Sequence, residues 1–327
     1  MNNDSLELID IKSMDEAQLQ AYFEQLGEKK FRASQVYQWL HQKLVTDFEQ
    51  MTNLPESLRK TLKENCRLTA LTAERVQVSQ IDGTSKYLFK LYDGNLIESV
   101  LMKYHHGNSV CISSQVGCRM GCRFCASTLD GMVRNLAPSE MLDQIYRIQT
   151  ISGERVDNIV IMGSGEPMDN FQNVVQFLKL INSDKGLHIS ARNITVSTCG
   201  LVDKIRELAD LQLQITLAIS LHAPNDELRK TMMPIANKYS IEQIMEACRY
   251  YLKQTGRRIS FEYSLVKGVN DTQECAEQLS GLLHGMNCHV NLIPVNPIKE
   301  RDYRQSEKQA TLIVRNICSK SSWASCE

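Results

Sequence analysis

Three things are missing from this sequence, and each absence closes off a class. No apolar run approaches the ~18 residues of a membrane span, so the chain is expected to stay off the membrane. The start, "MNNDSLELIDIKSMDEAQ", is acidic and lacks the apolar segment of a secretory leader. Nor is there an excess of charge of one sign: the formal net charge is -1, which excludes a uniformly basic nucleic-acid binder and confines any contact with RNA to local patches. With 43% hydrophobic and 23% charged residues, the chain has the balance of an ordinary soluble globular protein, expected in the cytoplasm. Its 327 residues suit one large core with a smaller appendage.

In a reducing cytosol cysteines remain thiols, so a dense group of them points to metal or catalytic chemistry before a disulfide framework. The chain has 11 cysteines, and the stretch "SVCISSQVGCRMGCRFCAST", residues 109–128, holds Cys111, Cys118, Cys122 and Cys125. The last three form the pattern C-x3-C-x2-C, and Gly117 and Gly121 let a loop wrap its thiolates toward one centre. Three kinds of site fit. Structural zinc wants four ligands, and no fourth lies at the usual spacing downstream. Buried, unreactive thiols are common enough to stay in consideration. A [4Fe-4S] cluster held by three thiolates leaves one iron open to bind and activate a small molecule, and the spacing favours it.

Periodicity supplies the surroundings. Residues 15–66 read as helices: "DEAQLQAYFEQLG", "FRASQVYQWLHQKL" and "LPESLRKTLKENC". Lys29, Lys30, Arg32, Tyr37, Trp39 and Lys43 in this small module could grip a phosphate backbone and stack on bases, or form a solvated face with Trp39 in the core. From Thr69 to Tyr104 the period is two, with two Asp-Gly turns, as in a short antiparallel meander. Beyond Val110, six strands ("VCISSQ", "VDNIVIMG", "RNITVST", "LQITLAISLHA", "RISFEYSLV", "HVNLIPVNP") alternate with helical stretches. That order predicts an α/β fold, a partial (β/α)6 TIM-like barrel. Barrel sites sit at the carboxyl ends of the strands, and those ends are rich in Gly, Ser, Asn and Pro.

The cluster loop, with Phe124 before its last Cys, resembles that of radical S-adenosylmethionine (SAM) enzymes. Taken with Glu98 in "LIESV", "SSQVGC", "MGSGEP", "SLHAP" and "NLIPVNP", it is similar to the radical SAM methyltransferases that methylate carbon 2 of adenine in 23S ribosomal RNA and in tRNA, the RlmN/Cfr family. The resemblance runs from about residue 15 to about residue 309, with Ser164 standing where the family usually has Met. It implies a [4Fe-4S] cluster on Cys118, Cys122 and Cys125, and a SAM pocket formed by Gly165, Glu166, Ser197, Ser220, Leu221, His222 and Asn296. Physically, Gly163 and Gly165 permit close backbone approach and Glu166 can accept hydrogen bonds from an ammonium or ribose hydroxyl, whereas His222 alone could equally be a satisfied barrel-mouth histidine.

In that family an electron passed through the cluster cleaves SAM, a first SAM methylates a cysteine near the C-terminus, and a radical from a second makes that methyl carbon add to adenine. A second cysteine then resolves the protein–RNA adduct by forming a disulfide. By position the resolving thiol is Cys111, and Glu98 resembles the proton acceptor, though an isolated strand Glu is ordinarily just solvated. An electron donor such as flavodoxin or ferredoxin is implied, and a monomer is the default. The division expected is a helical RNA-binding module at 1–68, the meander at 69–108, the radical SAM partial barrel at 109–308 and an aberrant tail at 309–327. That tail, ending "ATLIVRNICSKSSWASCE", resembles neither the family's carrier segment "GxDIDAACGQL" nor a full helix with a closing strand. It reads like a truncated or shifted frame, with Cys318 and Cys326 its only thiols. The alternative to an active methyltransferase is therefore a chain that binds cluster and SAM without completing transfer.

Overall fold

The computed structural model describes residues 8–319 and 324–326. In chain order the elements are β1 (Ile9–Asp10), α1 (Glu16–Gln25), α2 (Lys30–His41), α3 (Glu56–Asn65), β2 (Cys66–Arg67), β3 (Thr72–Val78), β4 (Ser85–Lys90), β5 (Leu96–Tyr104) and β6 (Gly107–Cys111). There follow β7 (Gln115–Gly117), β8 (Met132–Asn135), α4 (Pro138–Ser152), β9 (Asn158–Ile161), α5 (Phe171–Asn182), β10 (Ile194–Thr198), α6 (Val202–Asp210), β11 (Thr216–Ser220) and α7 (Asp226–Met232). The last are α8 (Ile241–Thr255), β12 (Ile259–Leu265), α9 (Gln273–Leu282), β13 (Cys288–Pro294), α10 (Lys308–Ser319) and β14 (Ala324–Cys326). They fall into two compact units. Among the described residues, one takes those up to Ser114 with Asn135–Ile159 and Gln172–Ser190; the other takes Gln115–Arg134, Val160–Phe171 and those from Ala191 onward.

In the first unit, α1 starts at Asp15, whose side chain accepts the N–H of Gln18 while the Gln18 side chain accepts that of Asp15. Leu19 and Phe23 on α1 and Val36 and Leu40 on α2, each pair four apart, are fully buried, so one stripe per helix makes the core. Lys12 is buried with its ammonium 2.7 Å from the Asp143 carboxylate on α4, and Asp143 also accepts the Leu71 N–H. Of the aromatic residues named for base stacking, Tyr37 is only 2% exposed and belongs to this core. Trp39 is half-buried, with the Lys43 ammonium 3.5 Å from its ring centroid. Strands β3 to β5 pair antiparallel in sequence order, as the period of two predicts, and β6, which overlaps the expected first barrel strand, continues that antiparallel pairing on β5. Gly83 and Gly94, at φ +72° and +84°, make the Asp-Gly turns.

In the second unit, β10, β11, β12, β13 and β14 pair parallel, each with the next. Leu217, Ala218, Ile219, Phe261 and Val290 are fully buried, which is why these strands read as continuous apolar runs.

Three elements depart from expectation. The first barrel strand ends at Cys111, short of "SSQ", because the Ser113 N–H goes to the Gln144 side chain and the Gln115 N–H to the Ser164 carbonyl, so neither continues the ladder. Helix α7 has seven residues, too few to show a period, and its N-cap is the side chain of Asn225. The tail does form a helix and a strand: α10 buries Val314 and Cys318, four apart, and β14 adds to β13. A single buried stripe suffices for a helix that packs on one side only.

Candidate active site

Within the second unit, the loops past the carboxyl ends of β9, β10 and β11 face the loop after β7 across a cavity of about 240 Å³. Cys118, Cys122 and Cys125 line it from the β7 loop, and Gly165 and Glu166 from the β9 loop. Ser197 and Ser220 reach it from the ends of β10 and β11, and His222 from just beyond.

The cysteine loop is fastened by Gln115, which is fully buried. Its Oε1 accepts the Glu166 N–H at 2.8 Å, its Nε2 donates to the Asp169 carboxylate at 3.0 Å, and its backbone N–H donates to the Ser164 carbonyl at 3.1 Å. Arg119 pairs with the same Asp169 carboxylate. The loop can begin only with glycine: Gly117 has φ +73°, and a Cβ there would lie 2.0 Å from the Gly131 carbonyl oxygen, which accepts the Cys118 N–H at 2.8 Å. Burial pushes the Cys118 thiol up to about 11 and the Cys122 thiol up to about 12, the neighbouring thiols adding to it. Behind them Cys122 packs with Cys199, Met232 and Met233 in an apolar cluster that also takes in Phe124.

Glu166 is 4% exposed, and its carboxylate is already engaged: Oε2 accepts the Cys199 N–H at 2.7 Å and Oε1 the Met168 N–H at 3.0 Å. Burial raises its pKa against these donors. It ties the β9 loop to the end of β10, and a carboxylate's remaining lone pairs are what a ligand could use. His222 holds φ +57°, its Nδ1 accepts the Ser264 N–H at 2.9 Å, and its ring meets Phe124 edge-on with centroids 4.7 Å apart. Burial, then Arg229, pushes it down to about 3, so the ring is neutral and Nε2 carries the proton as a donor. The Ser197 and Ser220 hydroxyls stand 3.5 Å apart.

Two of the SAM-pocket residues named from the sequence are not among those lining the cavity. Leu221 is fully buried and gives its carbonyl to Arg229 (3.2 Å), while Asn296 is exposed just past β13. Conversely, Thr198, Cys199, Met233 and Glu262 line the cavity without having been singled out. Thr198 and Cys199 lie at the end of the expected strand "RNITVST" and just past it, whereas Met233 and Glu262 carry no signal in the sequence. Glu98 and Cys111 belong to the first unit. Glu98, 55% exposed, pairs with Lys86 at 2.6 Å, and Cys111 is half-buried at the end of β6.

Residues 9–68 match the family described as the ribosomal RNA large subunit methyltransferase N-terminal domain, and residues 112–279 match the radical SAM superfamily. A protein named probable dual-specificity RNA methyltransferase RlmN from Lachnospira eligens is 68% identical over 96% of this chain and 89% of its own length. A protein of the same name from Lachnoclostridium phytofermentans is 61% identical over 96% and 88%. The crystal structure of a radical SAM methyltransferase from Sphaerobacter thermophilus superposes with a TM-score of 0.92 at 40% identity, covering 98% of this chain and 95% of that one. At that identity and coverage, and with the three-cysteine loop facing the glycine and serine strand ends, this chain belongs to the RlmN family of radical SAM enzymes.

Proposed function

We infer that this chain is a radical SAM methyltransferase acting on carbon 2 of an adenine in 23S ribosomal RNA and in tRNA. The observation that carries this is the convergence of Cys118, Cys122 and Cys125 with Gly165, Glu166, Ser197, Ser220 and His222 on one cavity, in a chain of that family. The donor set fits a [4Fe-4S] cluster: three thiols on one loop, backed by an apolar wall. Among the described residues no trio of His, Cys, Asp or Glu is gathered tightly enough for a single ion. A cubane carries its thiolates on separate irons, so its ligands need not meet at one point. When bound, the cluster and SAM supply the radical chemistry that no side chain can.

The chain's own residues bind, orient and exclude water. All three thiols bind a cluster as thiolates, so cluster loading releases protons, and burial holds those of Cys118 and Cys122 tightly. Glu166 keeps two strand-end loops in register and offers its free lone pairs to the ligand. His222 presents a neutral N–H donor, and Phe124 and Met233 keep the wall apolar, which shields a radical from solvent. Cys111 is assigned as the resolving thiol, whose disulfide is transient; no disulfide is formed among the described residues. Glu98 is assigned as the proton acceptor. The helical module 1–68 is assigned to RNA and the barrel 109–308 to chemistry, with the meander 69–108 between them. The enzyme is taken as a cytoplasmic monomer reduced by a flavodoxin- or ferredoxin-class donor. No described helix is long and apolar enough to cross a membrane.

One observation favours a second reading, in which SAM is cleaved but methyl transfer is not completed. Of the two thiols considered as methyl carriers, Cys318 is 2% exposed on α10, and the side chain of Cys326 lies outside the described residues. Anaerobic reaction of the reconstituted chain with SAM, a reductant and unmodified ribosomal RNA fragment decides between them. Methyladenine together with 5′-deoxyadenosine supports the methyltransferase; 5′-deoxyadenosine alone supports the second reading; neither product sinks both.

A further inference from the structure

Arg229 is the largest fully buried side chain among the described residues. It sits on the short helix α7 and spends its donors on backbone only: Nε on the Leu221 carbonyl at 3.2 Å, and Nη2 on the carbonyls of Cys199 at 2.7 Å and Ser220 at 3.3 Å. None of these acceptors is a carboxylate, and Nη1 has no partner at all. A guanidinium stays charged in a protein, and a buried charge without a counter-ion is strongly unfavourable. Asp226, three residues earlier on α7, acts on this charge through space but makes no ion pair with it. A methionine of similar volume would avoid the cost, so the structure retains a charge that no carboxylate of the described residues pairs directly.

The position of Arg229 indicates what the partner is. Two of its three acceptors, Cys199 and Ser220, line the cavity that the three cluster cysteines share, so the guanidinium lies directly behind the cavity wall. Cys199 also packs in the same apolar cluster as Cys122. The Cβ that Gly200 lacks would lie 3.5 Å from Arg229 Nη2 and 2.7 Å from Ile244 Cδ1, so the backbone turns tightly around the guanidinium. An iron–sulfur cluster on three thiolates is anionic, and it becomes more so when reduced. In a low-dielectric wall a fixed positive charge acts on it with little screening.

We propose that Arg229 is a positioning residue for the cluster: it fixes the strand ends at Cys199 and Ser220, and its charge offsets that of the cluster and raises the cluster's reduction potential. This rests on the iron–sulfur reading of the cavity, and the test separates the two.

The full chain and its Arg229→Met and Arg229→Lys variants are reconstituted anaerobically. Iron and sulfide content, the midpoint potential of the cluster by redox titration followed by electron paramagnetic resonance, and the melting temperature before and after loading are measured. The expected result is a more negative potential in Arg229→Met, a smaller rise in melting temperature on loading than in the unsubstituted chain, and a potential restored most of the way by Arg229→Lys. A residue that only held carbonyls would lower the melt of both forms alike and leave the potential in place, which overturns the proposal. If Arg229→Met takes up too little iron for a potential to be read, recovery of iron in Arg229→Lys supports the charge, and failure to recover it overturns it. An unsubstituted chain that takes up no cluster overturns the proposal together with the reading beneath it, whereas a normal cluster with an unmoved potential overturns the proposal alone.

Discussion

Glu98 and Cys111 stand on the same face of the antiparallel sheet. Cys111 on β6 lies directly opposite Val100 on β5, and Glu98 lies two residues before Val100, so the two side chains are diagonal neighbours. Such neighbours are about 7–8 Å apart. The opposite face of β5 carries the buried residues Ile97, Ser99 and Leu101, which puts the pair on the accessible side. The roles proposed for the pair, proton acceptor and resolving thiol for one adduct, need this kind of proximity, and adjacent strands in register place the two side chains on one face.

Glu98→Gln is therefore expected to leave 5′-deoxyadenosine formation intact while methyladenine falls by about 10²-fold or more, the usual contribution of a positioned base. Both products are read in one tube by mass spectrometry. Loss of both together would place Glu98 in cofactor binding instead.

The cluster loop should not tolerate a side chain at its first glycine. At φ +73°, Gly117→Ala costs about 1–2 kcal/mol in backbone strain alone, and the overlap of its Cβ with the Gly131 carbonyl adds to that. Expected are a lower melting temperature and a large fall in iron per chain, whereas Gly256→Ala, where nothing lies within 4 Å of the added Cβ, keeps its iron. Equal iron in both variants would refute the steric account.

Glu166→Gln has one carbonyl oxygen in place of two carboxylate oxygens, so either the Cys199 or the Met168 N–H loses its acceptor. Leaving a buried donor unpaired costs about 1–3 kcal/mol. SAM affinity, measured calorimetrically on the reconstituted protein, is expected to drop with stability. Unchanged affinity in a destabilised variant would confine Glu166 to fastening the loops.

Acid should destabilise this fold early. His41 is fully buried, and burial, with a smaller push from Lys12, takes its pKa down to about 3. That value lies below the 6.5 of an unperturbed histidine, so the unfolded chain binds the proton first. The contribution of the neutral ring is complete above about pH 6.5 and is lost as pH falls from there toward 3, at about 1.4 kcal/mol per pH unit for one proton. His222, also pushed to about 3, adds a second proton of the same sign. Urea midpoints at pH 7 and pH 5 should show this loss, and His41→Gln should lose less between the two.

Cys318→Ala is expected to cost about 1 kcal/mol as a small buried truncation and to leave iron content and 5′-deoxyadenosine unchanged, because the thiol is packed beneath α10. Selective loss of methyladenine in this variant would make Cys318 the carrier after all.

Much of this was written in local pattern. Three cysteines within eight positions, glycines beside them, and β-branched runs ending in Gly, Ser and Pro mark the chemistry and the strand ends, because ligand spacing and strand alternation are properties of neighbouring residues. The same locality hid α7, which is too short for a period, and misjudged α10, whose single buried stripe of Val314 and Cys318 looked too weak for a helix. It also offered Tyr37 for stacking when tertiary packing places that ring in the core.

By itself, then, the sequence determined the kind of site, the elements that deliver it and the family, since each is encoded in spacing along the chain. Only the tertiary structure decided that Glu166 is engaged by two backbone amides, that His222 is a neutral donor, and that an arginine from an unforeseen helix lies behind the cavity wall with one guanidinium nitrogen unpartnered. Those states depend on which distant groups share a desolvated interior, where hydrogen bonds and charges are settled by proximity in space and not by order in the chain.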